Sequence, residues 1–229
     1  MPTERVKENL KHLLGPAAVY LAVNMTVCFV WEDLLHLGEK TSLSAVPGGI
    51  TALICIPLFL PWYRRLLKGT PEQSPDRDEK GTMPAQSRAA QALFLLLTIL
   101  AGAALSLLWG TAADSLRLYR LFPAPAQDAL YGSFLPLQIL VFGFLTPLCE
   151  ELLFRGILYT ALTRIMNEMP AGILTSILFA VFHGSPVQAA YAFLMGLCLQ
   201  LLRRRDPRLL LPTAFHAGAN LAAVLAKSI

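Results

Sequence analysis

The sequence predicts an all-α fold, a polytopic transmembrane helix bundle of about seven spans with its amino terminus on the cytoplasmic side. Three observations predict it. Of 229 residues, 55% are hydrophobic and 15% charged, and the mean hydropathy is +0.54. Ordinary soluble domains are about 25% charged. The apolar residues also fall in long runs parted by polar loops, and most of the basic residues occupy alternate loops.

The elements follow in order. A basic head carries Arg5, Lys7 and Lys11 before an apolar run from Leu13 to Trp31. That run is longer than a signal-peptide core, and no small-residue cleavage site precedes Glu32 and Asp33, so it reads as an uncleaved first span. A second span runs from Ala45 to Tyr63, interrupted by Pro47, Pro57 and Pro61. Residues 64–88 are the most polar stretch and read as a flexible linker outside the membrane. A third span runs from Ala89 to Gly110, and a loop from Thr111 to Gly132 follows.

The apolar stretch from Ser133 to Asn167 is too long for one straight span, with Pro136 and Pro147 as natural breaks. A short fifth span from Ala171 to Phe182 ends in His183-Gly184-Ser185-Pro186. Val187 to Leu202 and Leu209 to Ala226 complete the set, and Gly196 allows a close helix approach. Two regions result: 1–132, with three spans and the linker, and 133–229, with the remaining four. With the amino terminus inside, 14 Lys and Arg lie on the inner side and 4 on the outer, with Arg155 inside the membrane.

The composition excludes several classes. No basic patch is interleaved with aromatic residues, so nucleic acid is not an expected partner. Cys28, Cys55, Cys149 and Cys198 all sit in apolar runs, at spacings of neither a metal motif nor a secreted disulfide framework. No internal repeat supports a transporter built on duplicated halves. Oligomeric state leaves no trace in the sequence.

The residues that demand explanation are ionisable ones in hydrocarbon. Glu150, Glu151 and Arg155 lie within the fourth apolar stretch, where each charge costs about 2.5–3.5 kcal/mol on insertion scales. Glu151 and Arg155 share a helical face in the favoured ion-pair order, which reads as a structural pair. Glu150 points about 100° away and is the free carboxylate. His183 ends the fifth span one turn after Phe179, and His216 and Asn220 share a face of the seventh. Each alone reads as packing or helix–helix polar glue. Polar groups on three separate spans are best satisfied by converging. A carboxylate, two imidazoles and an amide then suffice for hydrolysis: Glu150 as general base on water, imidazole and amide as donors to an oxyanion. Glu150, His183 and His216 are equally a zinc ligand set, and the residues leave that choice open.

The motifs Glu150-Glu151-x-x-x-Arg155, Phe179-x-x-x-His183 and His216-x-x-x-Asn220 together resemble the CPBP family. That family comprises the type II CAAX prenyl endopeptidases and the bacteriocin-processing or self-immunity (Abi) proteins. The resemblance spans about Phe134 to Ala226 and makes residues 133–229 the expected protease core. It implies an intramembrane endopeptidase in which Glu150 activates water, His183 holds it, and His216 and Asn220 stabilise the oxyanion. Glu151 and Arg155 then support the site. It favours a metal-free glutamate mechanism over a zinc one and needs no cofactor. The expected partners are the bilayer and a membrane-anchored peptide or protein reached from the inner side or the lipid. The expected location is a bacterial inner membrane. A non-enzymatic scaffold or immunity protein keeping the polar network for packing is the competing reading, with a small transporter or proton relay behind it.

Overall fold

A computed structural model describes residues 2–38, 41–68, 87–206 and 208–228. Most of the expected linker, residues 69–86, lies outside the described residues. The fold is all-α among the described residues. Helix α1 covers Pro2–Phe29 and closes in a π-helical turn at Val30–Leu34; α2 covers Val46–Lys68 and α3 Arg88–Ser115. Short helical turns at Leu118–Leu121 and Pro125–Ala129 lead into α4, a continuous helix over Leu135–Leu162. Helices α5 (Glu168–Val181), α6 (Pro186–Arg205) and α7 (Leu210–Ser228) follow.

Among the described residues, four helical segments are long and apolar enough to cross a membrane: Lys11–Leu34, Val46–Lys68, Arg88–Ser115 and Leu135–Leu162. The protein is therefore an integral, multi-pass membrane protein. The three remaining runs of the expected seven fall short for physical reasons. Helix α5 has 14 residues, about 21 Å at 1.5 Å per residue, less than a hydrocarbon core of about 30 Å. Helices α6 and α7 reach 20 and 19 residues, but arginines and the polar His216 and Asn220 lower their apolarity.

Helix α2 continues past Tyr63 to Lys68 because Leu66 is buried and the basic Arg65 and Lys68 suit a helix carboxyl end. Pro57 and Pro61 lie inside it without ending it. Helix α3 turns a row of leucines outward, Leu93, Leu96, Leu97, Leu100, Leu107 and Leu108, as a lipid-facing helix does. Helix α4 is the opposite case. Leu153, Phe154, Ile157 and Leu158 are at most 1% exposed and pack on Phe59 and Leu66 of α2, Phe179 of α5 and Met195 and Leu199 of α6.

Pro147 does not break α4. A π-helical turn at Val141–Leu145 absorbs it, and a second π turn at Leu152–Leu158 follows the two glutamates. Thr146 N–H closes the first turn on the Val141 carbonyl. The next donor in that register would be residue 147, which as proline has no N–H. The Phe142 carbonyl is met instead by the Asn220 side chain, with Nδ2 at 2.9 Å. Irregular turns of this kind need such partners in a membrane.

Close contact of backbones fixes α7 against α3. A Cβ on Gly102 would stand 2.0 Å from the Phe215 carbonyl oxygen, and one on Gly218 would stand 2.2 Å from that of Ile99. Gly196 serves α5 and α6 in the same way, facing Ser176.

The helix ends sort into two faces. Trp62 Nε1 donates to His12 at 2.7 Å, Arg164 to the Leu66 carbonyl at 2.5 Å, and Arg204 pairs with Glu168 at 3.1 Å. These join the start of α1, the end of α2, the α4–α5 connection and the end of α6 at one face. At the other, Ser44 meets Ser133 at 3.0 Å and Lys227 meets Asp128 at 2.6 Å. That face gathers the loop after α1, the loop before α4 and the end of α7.

Candidate active site

The α-helical stretch Thr146–Glu151, between the two π turns of α4, holds Glu150 and Glu151 toward different surroundings. The Glu151 side chain is fully buried, and that of Glu150 is 13% exposed into a cavity of about 760 Å³. Glu151 Oε1 accepts from Arg155 Nη1 at 3.1 Å, as their four-residue spacing predicts. The same oxygen lies 2.9 Å from His216 Nδ1 on α7, a contact the sequence did not announce.

Arg155 is fully buried and its charge is shared out. Its Nη2 donates to the Gly196 carbonyl at 3.3 Å, and its guanidinium lies 4.4 Å from the centre of the Phe179 ring. Phe179 is also the ring on which the histidines rest. It meets His183 edge-on at 4.5 Å and His216 at 5.6 Å between centroids, and Phe154 closes its far side at 5.0 Å. A fully buried phenylalanine thus sets the mutual orientation of one cation and two imidazoles.

The hydrogen bonds assign the tautomers. His183 Nδ1 is 2.7 Å from the Phe179 carbonyl. A carbonyl only accepts, so Nδ1 carries the proton and neutral His183 keeps a lone pair at Nε2. His216 donates from Nδ1 to Glu151 by the same reasoning, and its Nε2 faces Glu150 Oε2 at 3.6 Å. Asn220 uses one amide hydrogen on Phe142 and retains the other.

Glu150, His183, His216 and Asn220, read from three separate apolar runs, all line the one cavity. Thr146 and Gln188 line it too; neither stands out in the sequence, because Thr and Gln in apolar helices carry no spacing signal. A second cavity of about 220 Å³ lies beside the first and shares Phe142 and Thr146 as walls. Tyr20 and Asn24 of α1 and Thr51 of α2 line it, all outside the recognised motifs.

Among the described residues, no group of three His, Cys, Asp or Glu side chains stands close enough to hold a metal ion. Cys149, beside Glu150, is 1% exposed and packs in the core with Cys55; it lines the second cavity and not the main one.

Comparison with known proteins gives the geometry a relation. Residues 132–222 match the family model described as type II CAAX prenyl endopeptidase Rce1-like. The likeness lies in this segment. It contains α4, α5, α6 and most of α7, and with them all four cavity residues and the Glu151–Arg155 pair. The chain is also 30% identical over 90 residues to "Putative membrane peptidase YdiL" of Bacillus subtilis (strain 168). That match covers 39% of this chain and 37% of the relative, so the likeness is one of a segment. No solved structure matches the chain. Helices α1 to α3 lie outside the Rce1-like segment, yet α3 holds α7, and α1 and α2 wall the second cavity.

Proposed function

We propose that the protein is an intramembrane endopeptidase that hydrolyses a peptide bond of a membrane-anchored peptide or protein, with water activated by Glu150. The observation that carries this reading is the His216 imidazole held between the two carboxylates, Nδ1 on Glu151 and Nε2 toward Glu150, at the wall of a cavity. A packing network needs the Glu151–Arg155 pair. It does not need a further carboxylate kept open to a cavity beside an oriented imidazole.

The chemistry follows from the assigned protons. Water in the cavity offers one hydrogen to Glu150 and the other to the His183 Nε2 lone pair, and both groups accept. Its oxygen attacks the substrate carbonyl carbon while its proton passes to Glu150. The developing oxyanion is met by the remaining amide hydrogen of Asn220, and by His216 when Nε2 is protonated, in which state the two carboxylates balance the imidazolium. The C–N bond then breaks, Glu150 returns the proton to the leaving amine, and a carboxyl and an amine terminus result. No step is routed through a metal.

The reading extends to a seven-helix bundle in the membrane, with residues 133–229 as the protease core and 1–132 as its support. Cleavage of a panel of membrane-anchored peptides by purified protein tests it, wild type beside Glu150→Gln, with and without chelator. Cleavage lost in the variant and indifferent to chelator supports it. Chelator-sensitive cleavage restored by zinc makes Glu150, His183 and His216 metal ligands instead. Cleavage retained in Glu150→Gln refutes the assigned base.

A further inference from the structure

The main cavity runs from Glu150 and His216 on its floor to Pro123, Ala124 and Pro125 of the loop after α3 and to the Gly184–Pro186 turn. Those rim segments belong to the face that holds Ser44, Ser133 and Lys227. The opposite face carries the basic helix ends. Among the described residues, Arg5, Lys7, Lys11, Arg64, Arg65, Lys68, Arg88, Arg164, Arg203, Arg204, Arg205 and Arg208 belong to helix ends at that face. The cavity face holds three, Arg117, Arg120 and Lys227, beside the acidic Glu32, Asp33, Asp114 and Asp128.

Basic residues near span ends are retained on the cytoplasmic side. We infer that the cavity mouth faces away from the cytoplasm, so that the scissile bond is presented from the extracytoplasmic face, next to the substrate's membrane anchor. This deepens the protease reading and rests on it. It departs from entry at the inner side, one of the two routes expected from the sequence, because the cavity rim and the basic ends lie at opposite ends of the bundle.

The second cavity points the same way. Glu32 and Ser44, on the face of the main rim, line it together with Asn24, while Thr146 of its wall also lines the catalytic cavity. Thr51, 2% exposed, adds a hydroxyl that meets no protein hydrogen-bond partner. A pocket that carries these polar groups from that face to the wall of the site suits the water that hydrolysis consumes. The substrate class is then a peptide segment just outside the membrane on a membrane-anchored chain.

Membrane-impermeant maleimide labelling of intact cells tests the assignment without requiring activity. In a background with the four native cysteines replaced, Ala124→Cys reports the rim and Arg205→Cys the opposite face. Labelling of position 124 from outside, with labelling of 205 lost until the membrane is permeabilised, is the expected result. Labelling of 205 from outside, or of 124 only after permeabilisation, overturns it. Sealed proteoliposomes of fixed orientation, with the anchored peptide offered on one face at a time, read the chemistry. Cleavage only on the cavity face is expected, and cleavage only on the basic face overturns the inference. Labelling as expected with no cleavage on either face counts against the protease reading while leaving the mouth where it is inferred.

Discussion

His216 Nδ1 stands 2.9 Å from Glu151 Oε1, and this contact ties the buried ion pair of α4 to the imidazole at the cavity wall. Glu151 thereby has two tasks: it neutralises Arg155, and it holds His216 in the tautomer whose Nε2 faces Glu150. The two adjacent glutamates predict opposite mutational behaviour.

Glu150→Gln is isosteric at a position open to the cavity, so stability should change by less than about 1 kcal/mol. Cleavage should fall by about two to four orders of magnitude, the usual worth of a general base. Thermal unfolding in detergent beside a peptide-cleavage assay separates the two effects.

Glu151→Gln leaves Arg155 buried with an uncompensated charge and releases His216. Loss of one partner from a buried pair costs about 3–5 kcal/mol. The variant should unfold at clearly lower temperature than Glu150→Gln. The reverse order in the same unfolding experiment would exchange the two roles.

Asn220→Ala removes the donor to the Phe142 carbonyl, a part-buried acceptor, at a cost of about 1 kcal/mol. Pro147→Ala returns an N–H to the register that would reach Phe142. Part of the Asn220→Ala penalty should therefore be recovered in the double variant. A double-mutant cycle on unfolding free energy measures this coupling, and strict additivity would count against it. Cleavage should stay low in the double variant, because restoring the backbone does not restore an oxyanion donor.

Gly102→Ala places a methyl group 2.0 Å from the Phe215 carbonyl oxygen, a backbone atom that cannot rotate away. Overpacking of this kind costs about 1–3 kcal/mol. Because His216 follows Phe215 on α7, cleavage should fall along with stability. Gly110→Ala on the same helix meets nothing within 4 Å and should be neutral in both assays.

The candidate site was largely legible in the sequence. Glu150, His183, His216 and Asn220 are costly in apolar helices, so their types and helical spacing mark them. The Glu151–Arg155 pair was legible because a separation of four residues sets it locally. The fold was legible down to the apolar runs, each of which forms a helix near its expected bounds. The length of α5 was less so, since an apolar run does not say whether its helix crosses the membrane or stops at a turn such as that holding Gly184.

Composition and pattern alone determined an all-helical membrane protein with polar groups that must converge. Both follow from the cost of bare polar groups in hydrocarbon, which acts on every residue locally. Tertiary structure decided the rest: that Glu151 reaches His216 across 65 residues of chain, that Asn220 repairs what Pro147 leaves open, and that Gly102 seats α7. It also decided which end of the bundle the cavity meets. These are relations between helices, set by how close two backbones come and which acceptor lacks a donor, and no periodicity along a single helix encodes them.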